Sequence, residues 1–291
     1  MSTVVYINGK HVPLEDAKIT VYDHGLLYGD GAFEGIRVYS GKVWKLHEHI
    51  TRLFRSAHAL MIDLPITPEE MEEAVLSTLR ANGITDGYIR ITITRGVGLG
   101  LDPRACKGDA TVIIMTDRLS LYPEEMYRNG LHVVTVSTRV CPPQSLEPRI
   151  KSLGKYVANI QAKLEANRVG AGEGLMLNIQ GYVAEATGDN IFIIKNGEIV
   201  TPPPSAGILE GITRNTVMEI ARDLGIKVEE KLFTLFDVYS SDECFLTGTA
   251  AEVIPVVKLD GRTIGDGRPG AITNRLIEAF RSLTKTEGVV I

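Results

Sequence analysis

Short β-rich segments closed by two-residue turns with glycine second constrain this chain more than any other feature. Residues 3–12 alternate around Asn8-Gly9, and residues 37–39 meet residues 42–44 across Ser40-Gly41. Such turns need a left-handed backbone, which glycine adopts without strain and asparagine tolerates, so the pairs read as hairpins. Residues 175–200 read as a β-meander with turns at Gln180-Gly181 and Asn196-Gly197.

Helical periods interrupt the strands. In residues 45–60, Leu46, Ile50, Leu53, Ala57 and Leu60 form one apolar stripe. A second helix starts at Thr67-Pro68, where Thr67 and Glu70 make a capping box; Met71, Val75 and Leu79 face inward and Gly83 ends it. Strand-like runs follow at residues 88–95 and 111–116. Between Asp117 and Gly130 the apolar period is lost and Pro123 interrupts. Beyond lie a strand at 131–137 and a loop holding Pro142, Pro143 and Pro148. A helix over residues 156–168 carries Ile160 and Leu164 on one face, and an apolar strand covers 243–246. The last helices read as 212–224, closed by Gly225, and 271–283. The expected fold class is α/β of the α+β kind: a small α+β domain over 1–117, an interdomain loop over 118–130, and a larger β-rich domain over 131–291.

Composition agrees with two globular domains. The 291 residues are 44% hydrophobic and 23% charged, as in ordinary soluble domains. Lys and Arg number 31 against 36 Asp and Glu, a net charge of -5. The basic residues are scattered, so no nucleic-acid partner is expected. No apolar run reaches membrane-span length, and the first residues lack the parts of a secretory signal. Cys106, Cys141 and Cys244 are odd in number and widely spaced, without a CxxC pair. A cytoplasmic location without disulfides or a zinc cluster is expected.

Lys151 and Lys155 follow the proline-rich loop at a helix start, where a side chain can enter a cleft. Alone, both read as solvated lysines. A lysine that reacts covalently with a cofactor needs an acid for a ring nitrogen, a phosphate cradle and a donor near the ring oxygen. Glu185 lies among apolar residues where a strand runs into a turn. Buried there, a carboxylate requires a cationic partner, and a pyridinium would serve; otherwise Glu185 lies on the strand's outer face. The Gly211-Ile-Thr-Arg214 run opens a helix and offers free N–H groups to an anion, while Gly248-Thr249-Ala250 offers a second hydroxyl with exposed amides. Both also read as ordinary caps. Arg52 lies on the flank of its helix's apolar stripe, at the edge of a cleft. The glycines of 96–100 lead into no helix, so they make no dinucleotide fingerprint. His47 and His49 point to different helix faces, and no metal site is expected.

Seven runs, in order over nearly the whole chain, resemble the fold-type IV aminotransferases that use pyridoxal 5'-phosphate, and among them the branched-chain amino acid aminotransferases. They are Tyr28-Gly-Asp-Gly-Ala-Phe-Glu-Gly-Ile-Arg37, His47-Glu-His-Ile-Thr-Arg-Leu53, Tyr88-Ile-Arg90, Lys151-Ser-Leu-Gly-Lys-Tyr156, Glu185-Ala-Thr-Gly-Asp-Asn190, Gly211-Ile-Thr-Arg214 and Thr247-Gly-Thr-Ala-Ala-Glu252. The resemblance implies that Lys151 binds the cofactor covalently and that Tyr156 donates to its ring oxygen. It implies that Glu185 holds the pyridine nitrogen and that Arg52, Ile212, Thr213, Gly248 and Thr249 hold the phosphate. Phe33, Gly35, Arg37, Tyr88, Arg90, Tyr122, Thr249 and Ala250 would line the substrate pocket. Tyr28 and Leu101 would reach in from a neighbouring subunit, making a homodimer or larger homo-oligomer, with the cofactor between the two domains. The implied reaction transfers amino groups from Leu, Ile and Val to 2-oxoglutarate. Two departures bear on substrate: Ile91 stands where many branched-chain enzymes have proline, and Ala186 where they have glycine. A D-amino acid or (R)-amine transaminase, or an aminodeoxychorismate lyase, would keep Lys151 and Glu185. The Phe33-to-Arg37 run favours L-branched-chain substrates.

Overall fold

The computed structural model describes residues 3–118 and 122–291. The chain divides into two compact units, Met1–Ser120 with Ile150–Gly154 and Thr284–Ile291, and Leu121–Arg149 with Lys155–Leu283. Residues 119–121 of the expected interdomain loop lie outside the described residues.

The first unit opens with the hairpin β1 (Val4–Ile7) and β2 (Lys10–Pro13), turning at Asn8 with φ 47° and Gly9 with φ 87°. A short helix α1 (His24–Tyr28) precedes β3 (Gly31–Tyr39), β4 (Lys42–Val43), α2 (Leu46–Ala59), α3 (Pro68–Asn82), β5 (Gly87–Thr94) and β6 (Thr111–Asp117). These strands join the carboxy-terminal strand Val289–Val290 in one antiparallel sheet, in the order Val289–Val290, β4, β3, β5, β6, β1, β2. The α2 stripe and Met71, Val75 and Leu79 of α3 bury against Ile36, Ile89, Ile91 and Ile114 of the sheet. Both bonds of the capping box form: the Glu70 amide donates to Thr67 Oγ1 and the Thr67 amide to Glu70 Oε2.

In the second unit, Pro123 stands at the N-cap of the helix α4 (Glu124–Asn129), inside the stretch where the apolar period fails. Next come β7 (Leu131–Thr135), α5 (Tyr156–Arg168), β8 (Glu173–Leu177), β9 (Val183–Ala186), β10 (Asn190–Lys195) and β11 (Glu198–Thr201). The unit continues with α6 (Ile212–Asp223), β12 (Val228–Glu230), α7 (Leu235–Tyr239), β13 (Glu243–Gly248), β14 (Glu252–Leu259), β15 (Arg262–Thr263) and α8 (Ala271–Thr286). The sheet runs β12-β11-β10-β13-β14-β7-β8-β9, with β15 on β14. A further pairing of β9 with β10, at Glu185 opposite Asn190, closes six of these strands on themselves. This pairing covers the edge that β9 would otherwise expose, and it places Glu185 at the seam.

The face of α5 that carries Ile160 and Leu164 points outward: they are 61% and 52% exposed, and Val157 beside them is exposed too. The helix packs through its small residues instead: Ala162 and Ala166 bury against Val136, Met176 and Ala184. Alanine lets the helix axis approach the sheet closely, so the larger side chains point away.

Candidate active site

In the first unit, Ile150–Gly154 lies antiparallel along β3. The Phe33 amide donates to Lys151 O at 3.0 Å and the Leu153 amide to Gly31 O at 2.9 Å. The Lys151 amide donates to Ser56 Oγ at 3.3 Å. This backbone clamp puts the Lys151 amine 4.7 Å from the centre of the Phe33 ring, which also carries the Arg90 guanidinium at 3.4 Å. An aromatic face attracts cations. Gly35, two residues along the same face of β3, pairs with Arg90, and Arg37 pairs with Tyr88. A β-carbon on Gly35 would lie 1.9 Å from the Tyr88 hydroxyl oxygen. Only glycine leaves room for that ring. Phe33, Gly35, Tyr88, Arg90 and Lys151 are therefore brought together.

Glu34 alternates to the other face and is fully buried. It accepts from His49 Nδ1 at 2.7 Å, from Arg52 Nε at 2.7 Å and from Arg52 Nη2 at 2.9 Å. Burial pushes the Glu34 carboxyl up, but the charges and hydrogen bonds of Arg52 and His49 outweigh it and hold the group well below the usual carboxylate range. For His49 burial prevails over the pull of Glu34, helped by the charges of Arg52 and Lys151, so its pKa is lowered and the ring stays neutral. Its Nε2 is buried with no hydrogen-bond partner among the described residues. Sequence reasoning placed Arg52 at a cleft edge and missed Glu34, which fixes its plane, and His49, which holds Glu34. The available signal was Glu34 itself, the one charged residue within Gly31 to Ile36.

Tyr28 and Leu101 form a separate neighbourhood. The Gly100 amide donates to the Tyr28 hydroxyl at 3.0 Å, the buried His24 ring sits edge-on to Tyr28, and Leu101 is 83% exposed. His47 is exposed beside Glu72 while His49 is buried, so the two histidines diverge as their spacing predicts.

In the second unit Glu185 is 5% exposed and Lys155 4%. Lys155 Nζ donates to Glu185 Oε1 at 3.1 Å and to Pro148 O at 3.2 Å, and the Leu209 amide donates to Glu185 Oε2 at 2.8 Å. Burial pushes the Lys155 amine down, but the charge and hydrogen bond of Glu185 overcome it and raise its pKa. The cation that a buried Glu185 requires is thus present in the protein itself. Tyr156 follows directly and opens α5. The α6 helix starts at Ile212 with Gly211 as its N-cap and no side-chain cap, and Thr213 is buried in its first turn. A β-carbon on Gly211 would lie 2.1 Å from Asn190 Oδ1, and one on Gly248 1.9 Å from Asp189 Oδ1. Both glycines admit the turn after Glu185, with Thr249 and Ala250 next in line. Tyr122 is buried in the core of this unit and donates to Glu173 Oε2 at 3.2 Å. Burial, with the charges of Asp189 and Glu173, pushes its phenol far up, so it stays a donor.

Residues 31–259 match the family described as Amino-transferase class IV. The chain belongs to the class IV aminotransferases. The putative branched-chain-amino-acid aminotransferase of Methanocaldococcus jannaschii is 49% identical over 288 residues, 99% of this chain and 98% of that one. The crystal structure of the Escherichia coli branched-chain amino acid aminotransferase superposes with a TM-score of 0.95 at 36% identity, covering 98% of this chain and 95% of that chain. The branched-chain amino acid aminotransferase of Thermobaculum terrenum, in its PLP-bound holo form, gives 0.89 at 30% identity over 97% of this chain and 94% of that chain. This class IV aminotransferase accordingly has the expected mixed α/β fold with two sheets. Among the described residues no helix is long and apolar enough to cross a membrane.

Proposed function

We propose that this class IV aminotransferase uses pyridoxal 5'-phosphate to move the amino group of L-leucine, L-isoleucine or L-valine to 2-oxoglutarate, giving branched-chain 2-oxo acids and L-glutamate. The observation that carries this is the buried, ion-paired Glu185 carboxylate, in the same unit as an uncapped helix start at Gly211–Thr213. A protonated pyridine nitrogen needs the first and a phosphate suits the second. The relatives named for branched-chain substrates support the substrate class.

Bound pyridoxal phosphate supplies an electron sink for the carbon that carries the amino group. Lys151 would hold the cofactor covalently, and its freed amine would move a proton as base and then acid. Glu185 keeps the ring nitrogen protonated, and Tyr156 donates to the ring oxygen. Arg52, Ile212, Thr213, Gly248 and Thr249 bind the phosphate; the bidentate bond to Glu34 suits Arg52 to this by holding its guanidinium flat. Phe33, Gly35, Arg37, Tyr88, Arg90, Tyr122, Thr249 and Ala250 shape the substrate pocket. The cofactor's reactive carbon lies across the ring from the nitrogen. An amine bonded to Glu185, as that of Lys155 is, sits at the wrong end, which favours Lys151 as the covalent anchor.

The working unit in this reading is a homodimer or larger homo-oligomer, with Tyr28 and Leu101 reaching into a neighbour's site. The exposed apolar side chains Leu26, Leu99, Leu101, Val157, Ile160 and Leu164 suit contact with another copy. Three cysteines, none in a disulfide, suit the cytoplasm.

The test is a donor panel with 2-oxoglutarate, read as glutamate formed, alongside the visible absorbance of protein loaded with pyridoxal phosphate. Activity on the three branched-chain L-amino acids is expected. Activity on D-alanine with none on L-leucine overturns the substrate assignment. Lys151→Ala is expected to remove the absorbance and lower kcat by about 100-fold or more. Lys155→Met, saturated with cofactor, is expected to keep the absorbance.

A further inference from the structure

Lys155 has no part in the chemistry described above, yet its side chain is almost wholly buried, and burial of an ammonium is expensive unless its charge is answered. Among the described residues it donates to the Glu185 carboxylate and to the Pro148 carbonyl, and it lies 6.0 Å from the centre of the Tyr156 ring. Glu185 in turn receives two donors, Lys155 Nζ on one oxygen and the Leu209 amide on the other. An ionised carboxylate has about four acceptor positions. Two donors at opposite oxygens fix its plane and still leave positions for a third donor.

We propose that Lys155 is a positioning residue that holds the Glu185 carboxylate oriented before the cofactor arrives, so that the ring nitrogen meets a ready acceptor. The inference rests on the reading of Glu185 as the partner of the ring nitrogen. It assigns to this chain a cation behind the acid, acting on the cofactor only through that acid. Without Lys155, the buried Glu185 keeps one neutral donor, the Leu209 amide, on a single oxygen. The carboxyl is then free to rotate about its last torsion, and the cofactor must order it on binding.

The decisive measurement is a double-mutant cycle on the affinity of the apoprotein for pyridoxal phosphate, read by equilibrium dialysis and by the visible absorbance of the bound form. Lys155→Met is expected to weaken binding about tenfold or more in the wild-type background and less than about twofold in the Glu185→Gln background. Equal losses in both backgrounds would show that Lys155 acts through Pro148 or the fold, and unchanged affinity would show that it does not act at all; either result overturns the inference. Should Lys155→Met not fold, Lys155→Gln gives the same cycle, because it removes the charge while keeping an amide that can reach the Pro148 carbonyl. Wild-type protein that takes up no pyridoxal phosphate overturns the proposed function and this inference with it. Uptake by the wild type together with an additive cycle overturns this inference alone.

Discussion

At the scale of single residues, the first unit is most sensitive where Glu34 meets His49 and Arg52. Replacing Glu34 with glutamine leaves a largely buried arginine without its anion. A loss of about 3 kcal/mol in urea unfolding is expected, the low end for breaking a buried pair because Arg52 keeps some contact with solvent. The same cluster gives stability a pH dependence. Stability rises with pH wherever the unfolded chain binds more protons than the folded one. His49 takes up a proton at about 6.5 when unfolded and at a lower pH when folded, so stability falls as pH drops below that value. Glu34 adds a second decline below its ordinary value of 4.5, because its folded carboxyl resists protonation far below that. His49→Gln, which still donates to Glu34, is expected to remove the slope between pH 7 and 5, worth up to about 1.4 kcal/mol per pH unit, and to leave the steeper decline in acid. A variant with an unchanged slope above pH 5 would show that another group carries it.

At the scale of elements, Gly35 on β3 leaves the space that the Tyr88 ring of β5 occupies. Gly35→Ala is expected to cost about 1–3 kcal/mol by overpacking against Tyr88, and in a Tyr88→Ala background that cost should largely vanish. On α3, Thr67→Ala removes one bond of the capping box and should cost about 1 kcal/mol in the same unfolding measurement. Helices such as α2 and α3 were legible because each buries one stripe and wets the other. The first six residues of β3 are buried on both faces, so they show no alternation, and only the end at residues 37–39 read as strand. For α5 the period was legible but its direction was not. Large apolar residues mark a face without saying whether that face meets the sheet or another molecule, and here Ala162 and Ala166 take the inner side. The candidate site divides the same way. Motif order points to Lys151, Glu185, Gly211 and Thr213 because each belongs to a short local run. The partners Glu34, His49 and Lys155 stand in those runs too, but their roles depend on pairings between elements, such as Lys155 with Glu185 some thirty positions on, which no local spacing encodes.

At the scale of the whole molecule, Lys151 and Glu185 belong to different compact units, because the chain returns to the first unit for only five residues, Ile150–Gly154. A segment so short gains its place from backbone pairing with β3, and its loss would separate the amine from Phe33 whatever the rest of the fold does. The Tyr28 and Leu101 neighbourhood bears on how copies of the chain assemble. Leu101 is among the most exposed large apolar residues, and in the proposed assembly it is covered by entering a neighbour's site. If so, a site needs Lys151 from one subunit and Leu101 from the other. Lys151→Ala and Leu101→Asp should each be nearly inactive as pure proteins, the second through a raised KM for the amino donor. Mixed in equal amounts, unfolded together and refolded, they form mixed dimers in half of cases, and each mixed dimer has one site with both residues intact. Activity should therefore return to about a quarter of the wild-type level. Recovery no greater than the sum of the two pure variants would mean that Lys151 and Leu101 serve the same subunit, and the shared-site reading of Tyr28 and Leu101 would have to be abandoned while the roles of Lys151 and Glu185 stood.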